Sequence, residues 1–317
     1  MIAWLKLIRW NNLLIVFLTQ LLAWCCVLLP MWHYTESPMF LNWQNFLLIS
    51  LSTILIAAAG YIINDYFDIK IDIINKPDKV ILEKRIPRRM AIIVHSTLNA
   101  IAIFLAAIVA RRAGHYEWLL LQIVCTVLLW FYSTHFKRQF IIGNVVVALL
   151  TSFTIIALML YEPAIHYYFF KSYFINTSIG NAPNPVWVLG IYAYFAFVLT
   201  WIREIVKDME DYKGDAQEGC ITMPIKWGLK RSVQFIQALG LLVIIPLIIA
   251  GIKLCINRWW PLGIYSIAAL VLPMAIWSYF LQRKNTTQHY HIASRWLKII
   301  MVLGIGSLII YYFQAHA

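Results

Sequence analysis

The sequence predicts an all-α polytopic membrane protein, a bundle of nine transmembrane helices in a single domain over residues 1–317, arranged as two parallel pseudo-repeats. Three observations predict it. Of the 317 residues 62% are hydrophobic and only 13% are charged, whereas a soluble domain carries about a quarter charged residues, so a water-soluble fold and disorder are both excluded. The apolar residues gather into runs long enough to cross a bilayer. Two acidic segments then repeat one another at a fixed offset of 143 residues.

A membrane helix needs about 20 mainly apolar residues. Nine such runs, bounded by charges or by Pro, Asn and Gly, fall at 12–30, 45–64, 90–110, 116–134, 141–161, 186–206, 233–252, 260–281 and 297–313. The first is too long, and too polar at its start, for a removable leader. With nine spans the two ends of the chain face opposite sides. Of the 26 Lys and Arg, 21 fall on the side of Lys6 and Arg9, and this excess marks that side as cytoplasmic. The net charge of +12 thus reflects topology in a lipid bilayer and not nucleic-acid binding. The outer connection 163–185, rich in Asn and Pro, reads as an irregular insertion without chemistry. Cys25, Cys26, Cys125, Cys220 and Cys255 lie mostly in apolar runs without paired spacing, so neither a disulfide framework nor a zinc site is expected.

Eleven of the 14 acidic residues share the cytoplasmic side, packed into two loops, 65–89 after the second span and 203–232 after the sixth. Asp65, Asp68, Lys70 and Asp72 in the first match Asp208, Asp211, Lys213 and Asp215 in the second. Both carboxylate sets have the spacing i, i+3, i+7, which puts all three on one face of a helix. Four spans separate them, so both segments run in the same direction, as a parallel internal repeat requires.

Three carboxylates on one face repel each other unless a cation sits among them. A solvated helix end with salt bridges would explain one such set, but two with identical spacing at equivalent repeat positions point to a shared site. Oxygen ligands without His or Cys suit Mg²⁺, which keeps waters and bridges a few carboxylates to a substrate phosphate. Lys76, Lys79, Lys84, Arg85, Arg88, Arg89, Lys137, Arg138, Arg203 and Lys207 share the side of the acidic sets and supply enough positive charge for a diphosphate as well. A diphosphate with a greasy tail would keep its head at the rim and its tail among the spans. Rings such as Phe17, Trp24, Trp130, Phe131, Phe153, Tyr194 and Phe197 are candidates for lining that tail and stabilising an allylic cation.

These residues resemble the UbiA superfamily of intramembrane prenyltransferases. The first family motif, Asn-Asp-x-x-Asp-x-x-x-Asp, is complete as Asn64, Asp65, Asp68 and Asp72; the second is Asp208, Asp211 and Asp215. Arg9 and Asn12 match an Arg-x-x-Asn pattern at the first span. Tyr132, Ser133, Lys137, Arg138, Gly143 and Asn144 match a further stretch, and the likeness covers essentially the whole chain. The resemblance implies that the six aspartates hold Mg²⁺ against a polyprenyl diphosphate, with Asn12, Asn64, Lys79, Arg85, Tyr132, Lys137, Arg138, Asn144 and Lys207 contacting substrates. The run 74–79 is similar to that of the branch containing digeranylgeranylglyceryl phosphate synthases and chlorophyll synthases, although 79–84 lacks that branch's prolines and glycine.

The expected activity is therefore Mg²⁺-dependent transfer of a polyprenyl group to a lipophilic or anionic acceptor in the membrane, with release of pyrophosphate. A prenylglyceryl phosphate is the leading acceptor, and the bases Lys76, Lys84, Arg85, Arg88 and Arg89 exceed what one diphosphate needs. A hydroxybenzoate or dihydroxynaphthoate is the alternative. A secondary transporter is the reading from another class, but it would carry its charges near the bilayer midplane, not at span ends.

Overall fold

Inside hydrocarbon every backbone N–H and C=O must be satisfied within its own segment, so long apolar runs leave no alternative to helix. The computed structural model describes residues 2–31, 39–75, 77, 80–165, 184–283 and 286–315. Among them nine helices are long and apolar enough to cross a membrane: Trp10–Leu28, Trp43–Asn75, Arg88–Ala113, Tyr116–Thr134, Ile142–Leu160, Pro185–Glu210, Met223–Ile256, Trp260–Leu281 and Thr287–Ala315. No strand is present among the described residues, only an isolated bridge between Leu82 and Ile86. Most of the connection 163–185 and the predicted site residue Lys79 lie outside the described residues.

Helix ends follow local chemistry. Pro185 begins the sixth span, and the Asn184 side chain accepts from Val186 N at 2.9 Å, which satisfies one of the orphan amides of the first turn. Gly114, at φ 74°, closes the third span in a left-handed conformation that costs glycine nothing. Several helices outrun their apolar cores: the second reaches Asn75, beyond the predicted limit at 64, and the seventh and ninth begin about ten residues before the predicted 233 and 297. Hydropathy marks only the membrane-embedded part of a helix, and polar turns continue it into the interface. The acidic segments are accordingly not loops over their whole predicted extent. Asp65, Asp68 and Asp72 stand on the second span itself, and Asp208 on the sixth.

Small residues let the second and third spans approach closely; Ala58, Ala59, Ala102 and Ala106 are buried. Ser52 Oγ donates to the Ala102 carbonyl at 2.8 Å, and Trp277 Nε1 donates to that of Ala293 at 2.9 Å between the last two spans. One apolar core gathers the first six spans with the end of the ninth; another joins the sixth to the seventh, eighth and ninth. The sixth and ninth spans belong to both. Lys298 Nζ donates to Asn12 Oδ1 at 2.6 Å, so the ninth span starts at the acidic end of the bundle. Leu262 N donates to Gln314 Oε1 at 2.9 Å, which holds the end of the ninth span at the opposite end.

Candidate active site

Each set of aspartates is presented by a helix and answered by a residue from the span packed before it in the repeat. Arg9, just ahead of the first span, donates to Asp65 Oδ1 at 2.7 Å, with its guanidinium 4.9 Å over the Tyr61 ring. Asn144, in the first turn of the fifth span, donates to Asp208 Oδ2 at 2.8 Å. The first and fifth spans thus deliver a side chain to the first aspartate of either set, as two parallel repeats require. Arg9 has φ 52° and ψ 52°, a left-handed conformation uncommon outside glycine and asparagine, at the junction that aims its side chain.

Asp68 is the most enclosed acid of the first set, with 7% of its side chain exposed. It receives Asn64 Nδ2 at 2.6 Å and an ion pair from Lys137, whose ammonium also reaches Asn64 Oδ1 at 3.3 Å. Burial opposes the charge on Lys137, and Asp68 together with Tyr132 and Asp72 more than offsets this, holding the ammonium above its ordinary range. Lys137 arrives on a single tight turn, Phe136–Arg138, folded back on the fifth span. Gly143 permits that fold: a Cβ there would stand 2.7 Å from the Phe136 carbonyl oxygen. Ile141 at φ 64° completes the reversal, an outlier for a β-branched residue of the kind that clusters at functional sites.

The second set departs from one straight helix. The sixth span ends at Glu210, Asp211 forms the bend, and buried Asp215 stands on the next short helix, Tyr212–Gln217. Asn75, the last residue of the second span, fastens this bend: its Nδ2 donates to the Asp211 carbonyl at 3.0 Å, and its Oδ1 accepts from Gly214 N at 2.9 Å. A Cβ at Gly214 would lie 2.5 Å from Asn75 Nδ2. Lys137 and Tyr132 lie within electrostatic reach of both Asp68 and Asp208, so the two sets face one space.

Among the described residues no three Asp, Glu, His or Cys side chains form a closed metal cage. The donors are hard carboxylate oxygens spread over two facing segments, and this suits Mg²⁺, which is held by one or two carboxylates together with substrate phosphates and not by an all-protein cage.

Lys207 donates to Glu204 Oε1 at 2.5 Å, and Arg203 Nη1 reaches the same oxygen at 3.4 Å. Asn12 donates to the Tyr61 hydroxyl at 3.4 Å. Arg138 is tied through its backbone, its carbonyl accepting from Ile221 N at 2.8 Å. Arg85 is exposed and makes no hydrogen bond or ion pair with any of the six aspartates, and Arg88 pairs with Glu83 and covers Tyr66. Lys84, Arg85, Arg88 and Arg89 are thus at the surface, while Ile81, Leu82 and Ile86 of the same loop pack into a small apolar cluster; Lys76, like Lys79, lies outside the described residues.

Tyr61, Asn75, Glu204 and Lys298 were not anticipated. For two of them a signal existed: Tyr61 and Glu204 stand four residues before the first aspartate of either set, again 143 apart.

An open-sided cavity of about 630 Å³ lies between the fifth and sixth spans, walled by Leu149, Ile156, Met159, Gly190, Tyr194 and Phe197 among others. Tyr194 and Phe197, two of the rings named for the tail, line this cavity. Trp24 stacks on Phe46 in the core and donates to the Leu41 carbonyl. Trp130 and Phe131 are exposed.

The fold resembles solved structures along nearly its whole length. A structure described as addressing digeranylgeranylglyceryl phosphate synthase in membranes superposes with a TM-score of 0.63 at 24% identity, covering 98% of both chains. A UbiA homologue from Archaeoglobus fulgidus bound to DMAPP and Mg²⁺ gives 0.59 at 17%, over 96% of this chain and 98% of the other. In sequence, the digeranylgeranylglyceryl phosphate synthase of Methanosphaera stadtmanae is 29% identical over 264 residues, 81% of this chain and 84% of the relative. That of Methanothermobacter thermautotrophicus is 31% identical over 230 residues, 73% and 69% respectively. The profile of the UbiA prenyltransferase family matches residues 22–299, a stretch that holds both aspartate sets. The chain belongs to the UbiA prenyltransferase family and is a membrane-embedded prenyltransferase.

Proposed function

We propose that the protein transfers a polyprenyl group from its diphosphate to the hydroxyl of a prenylglyceryl phosphate, releasing pyrophosphate, and that it does so at the space between the two aspartate sets. One observation supports this reading above the others. Going back from Asp208 by 4, 7, 11, 14 and 18 residues, one face of the sixth span presents Glu204, Trp201, Phe197, Tyr194 and Gly190. A charged end and an apolar cavity share a single helical stripe, and at 1.5 Å per residue the cavity wall lies about 16–27 Å above Asp208. A polyanion with a long hydrocarbon tail has that shape. The relatives named digeranylgeranylglyceryl phosphate synthase support the acceptor.

In this reading Asp65, Asp68, Asp72, Asp208, Asp211 and Asp215 hold Mg²⁺, which when bound supplies charge neutralisation to the leaving diphosphate. Lys137 and Lys207 stand against the phosphate oxygens, with Arg138 at the rim, and the family resemblance gives Lys79 a phosphate contact as well. Asn64 and Tyr132 fix the Lys137 side of the site, and Asn144 fixes Asp208. The allylic C1–O bond breaks, the acceptor oxygen bonds to C1, and the hydroxyl proton leaves with the pyrophosphate. The apolar walls keep water from quenching the developing cation. The N-terminal segment and both aspartate sets face the cytoplasm.

The test is incubation of the purified protein with geranylgeranyl diphosphate, Mg²⁺ and a panel of acceptors. The expected product is the doubly prenylated glyceryl phosphate, abolished by chelation and restored by Mg²⁺. Transfer onto hydroxybenzoate or dihydroxynaphthoate alone would replace this acceptor with an aromatic one.

A further inference from the structure

We propose that a second anion site, distinct from the aspartates, lies where the starts of the first and ninth spans meet the end of the sixth, and that it takes the phosphate monoester of the acceptor. This rests on the acceptor proposed above. Arg203 and Lys298 converge there, beside two bases that already have carboxylate partners. Lys298 meets the neutral Asn12 amide at 2.6 Å. Arg203 and Lys207 share the single carboxylate of Glu204, and Arg9 is joined to Asp65. Arg203 repels both Lys207 and Lys298, and Arg9 repels Lys207, so the bases form one electrostatic group.

Arg9 is matched by Asp65 and Lys207 by Glu204, so Arg203, which reaches Glu204 only at 3.4 Å, and Lys298, whose partner is a neutral amide, are left short of negative charge. Arg203 Nε is buried without a hydrogen-bond partner, and guanidinium is the group suited to bidentate phosphate binding. The side chains of Arg9, Arg203 and Lys207 are 21–38% exposed, so a solute can reach them. Lys298 and Asn12 make no hydrogen bond to any of the six aspartates, which separates this group from the diphosphate end. The exposed Arg85, Arg88 and Arg89 offer no comparable enclosure.

The experiment measures steady-state kinetics of the full-length protein in nanodiscs of zwitterionic lipid, so that no anionic headgroup competes. Lys298→Met should raise the KM for prenylglyceryl phosphate about tenfold or more while leaving the KM for geranylgeranyl diphosphate nearly unchanged, and Lys298→Arg should restore it. Against the dephosphorylated acceptor, prenylglycerol, Lys298→Met and the natural chain should be equally poor, a result that a purely structural role for Lys298 would not give. If Lys298→Met does not fold, Arg203→Gln is measured in the same way. An unmoved acceptor KM, or an equal rise for both substrates, overturns the site while the acceptor assignment stands. Failure of the natural chain to use prenylglyceryl phosphate at all overturns the acceptor assignment and this site with it.

Discussion

Asp68 and Lys137 form the tightest charge pair of the site, one on the second span and the other on the turn that joins the two halves. Replacing Asp68 with Asn preserves shape and removes one charge, leaving the Lys137 ammonium without its directly bonded carboxylate. Thermal stability should fall by about 1–3 kcal/mol, as expected for one lost charged partner, whereas turnover at saturating Mg²⁺ should fall by about 10²–10³, the scale of a lost charge-stabilising group. Near-full turnover in Asp68→Asn would remove Asp68 from the machinery. Glu83→Gln serves as the comparison, since Glu83 is exposed and, among the described residues, its ion pair is with Arg88. The identities of Asn64, Asp68, Lys137 and Asn144 were legible as residue types at particular spacings. Which base meets which acid was not, because it depends on the reversal at Ile141 and on the close approach over Gly143, and neither has a periodic signature.

At the level of elements, the link from the end of the second span to the bend after the sixth is a single side chain. Asn75 makes two backbone hydrogen bonds to the Asp211–Gly214 segment, and Gly214 is small because Asn75 occupies the place of a Cβ. Asn75→Ala and Gly214→Ala should each lower stability by about 1–3 kcal/mol and slow turnover. In the Asn75→Ala background, however, Gly214→Ala should be nearly neutral, since the clash partner has gone. Thermal unfolding of the two single variants and the double variant checks this; simple additivity would mean that the two residues act separately. The spacing of the aspartates predicted a shared helical face, which the second span bears out. In the other copy the helix bends at Asp211, because the chain must turn into the short helix that buries Asp215. Hydropathy located all nine spans but not their polar extensions, whose boundaries are set by contacts such as Asn75 with Gly214 and Lys298 with Asn12.

For the whole molecule, the arrangement is two parallel halves with the sixth and ninth spans common to both cores. The Lys and Arg asymmetry predicts that the segment around Lys6 and both aspartate sets face the cytoplasm while the end near Gln314 faces the other side. Accessibility of tags at the two chain ends in intact and opened cells checks this, and finding both on one side would sink the orientation. The 143-residue offset made the repeat readable before any contact was known. The second anion site was not readable, because Asn12, Arg203 and Lys298 are far apart in sequence and meet only through the packing of three helices. The open-sided cavity between the fifth and sixth spans bears on the direction of the proposed reaction. Pyrophosphate would leave from the acidic rim into water, while the enlarged lipid would move sideways into hydrocarbon. Each product is diluted into a phase that the other does not enter, so return of both to one site becomes rare by mass action, and the chemistry runs one way without any latch in the protein.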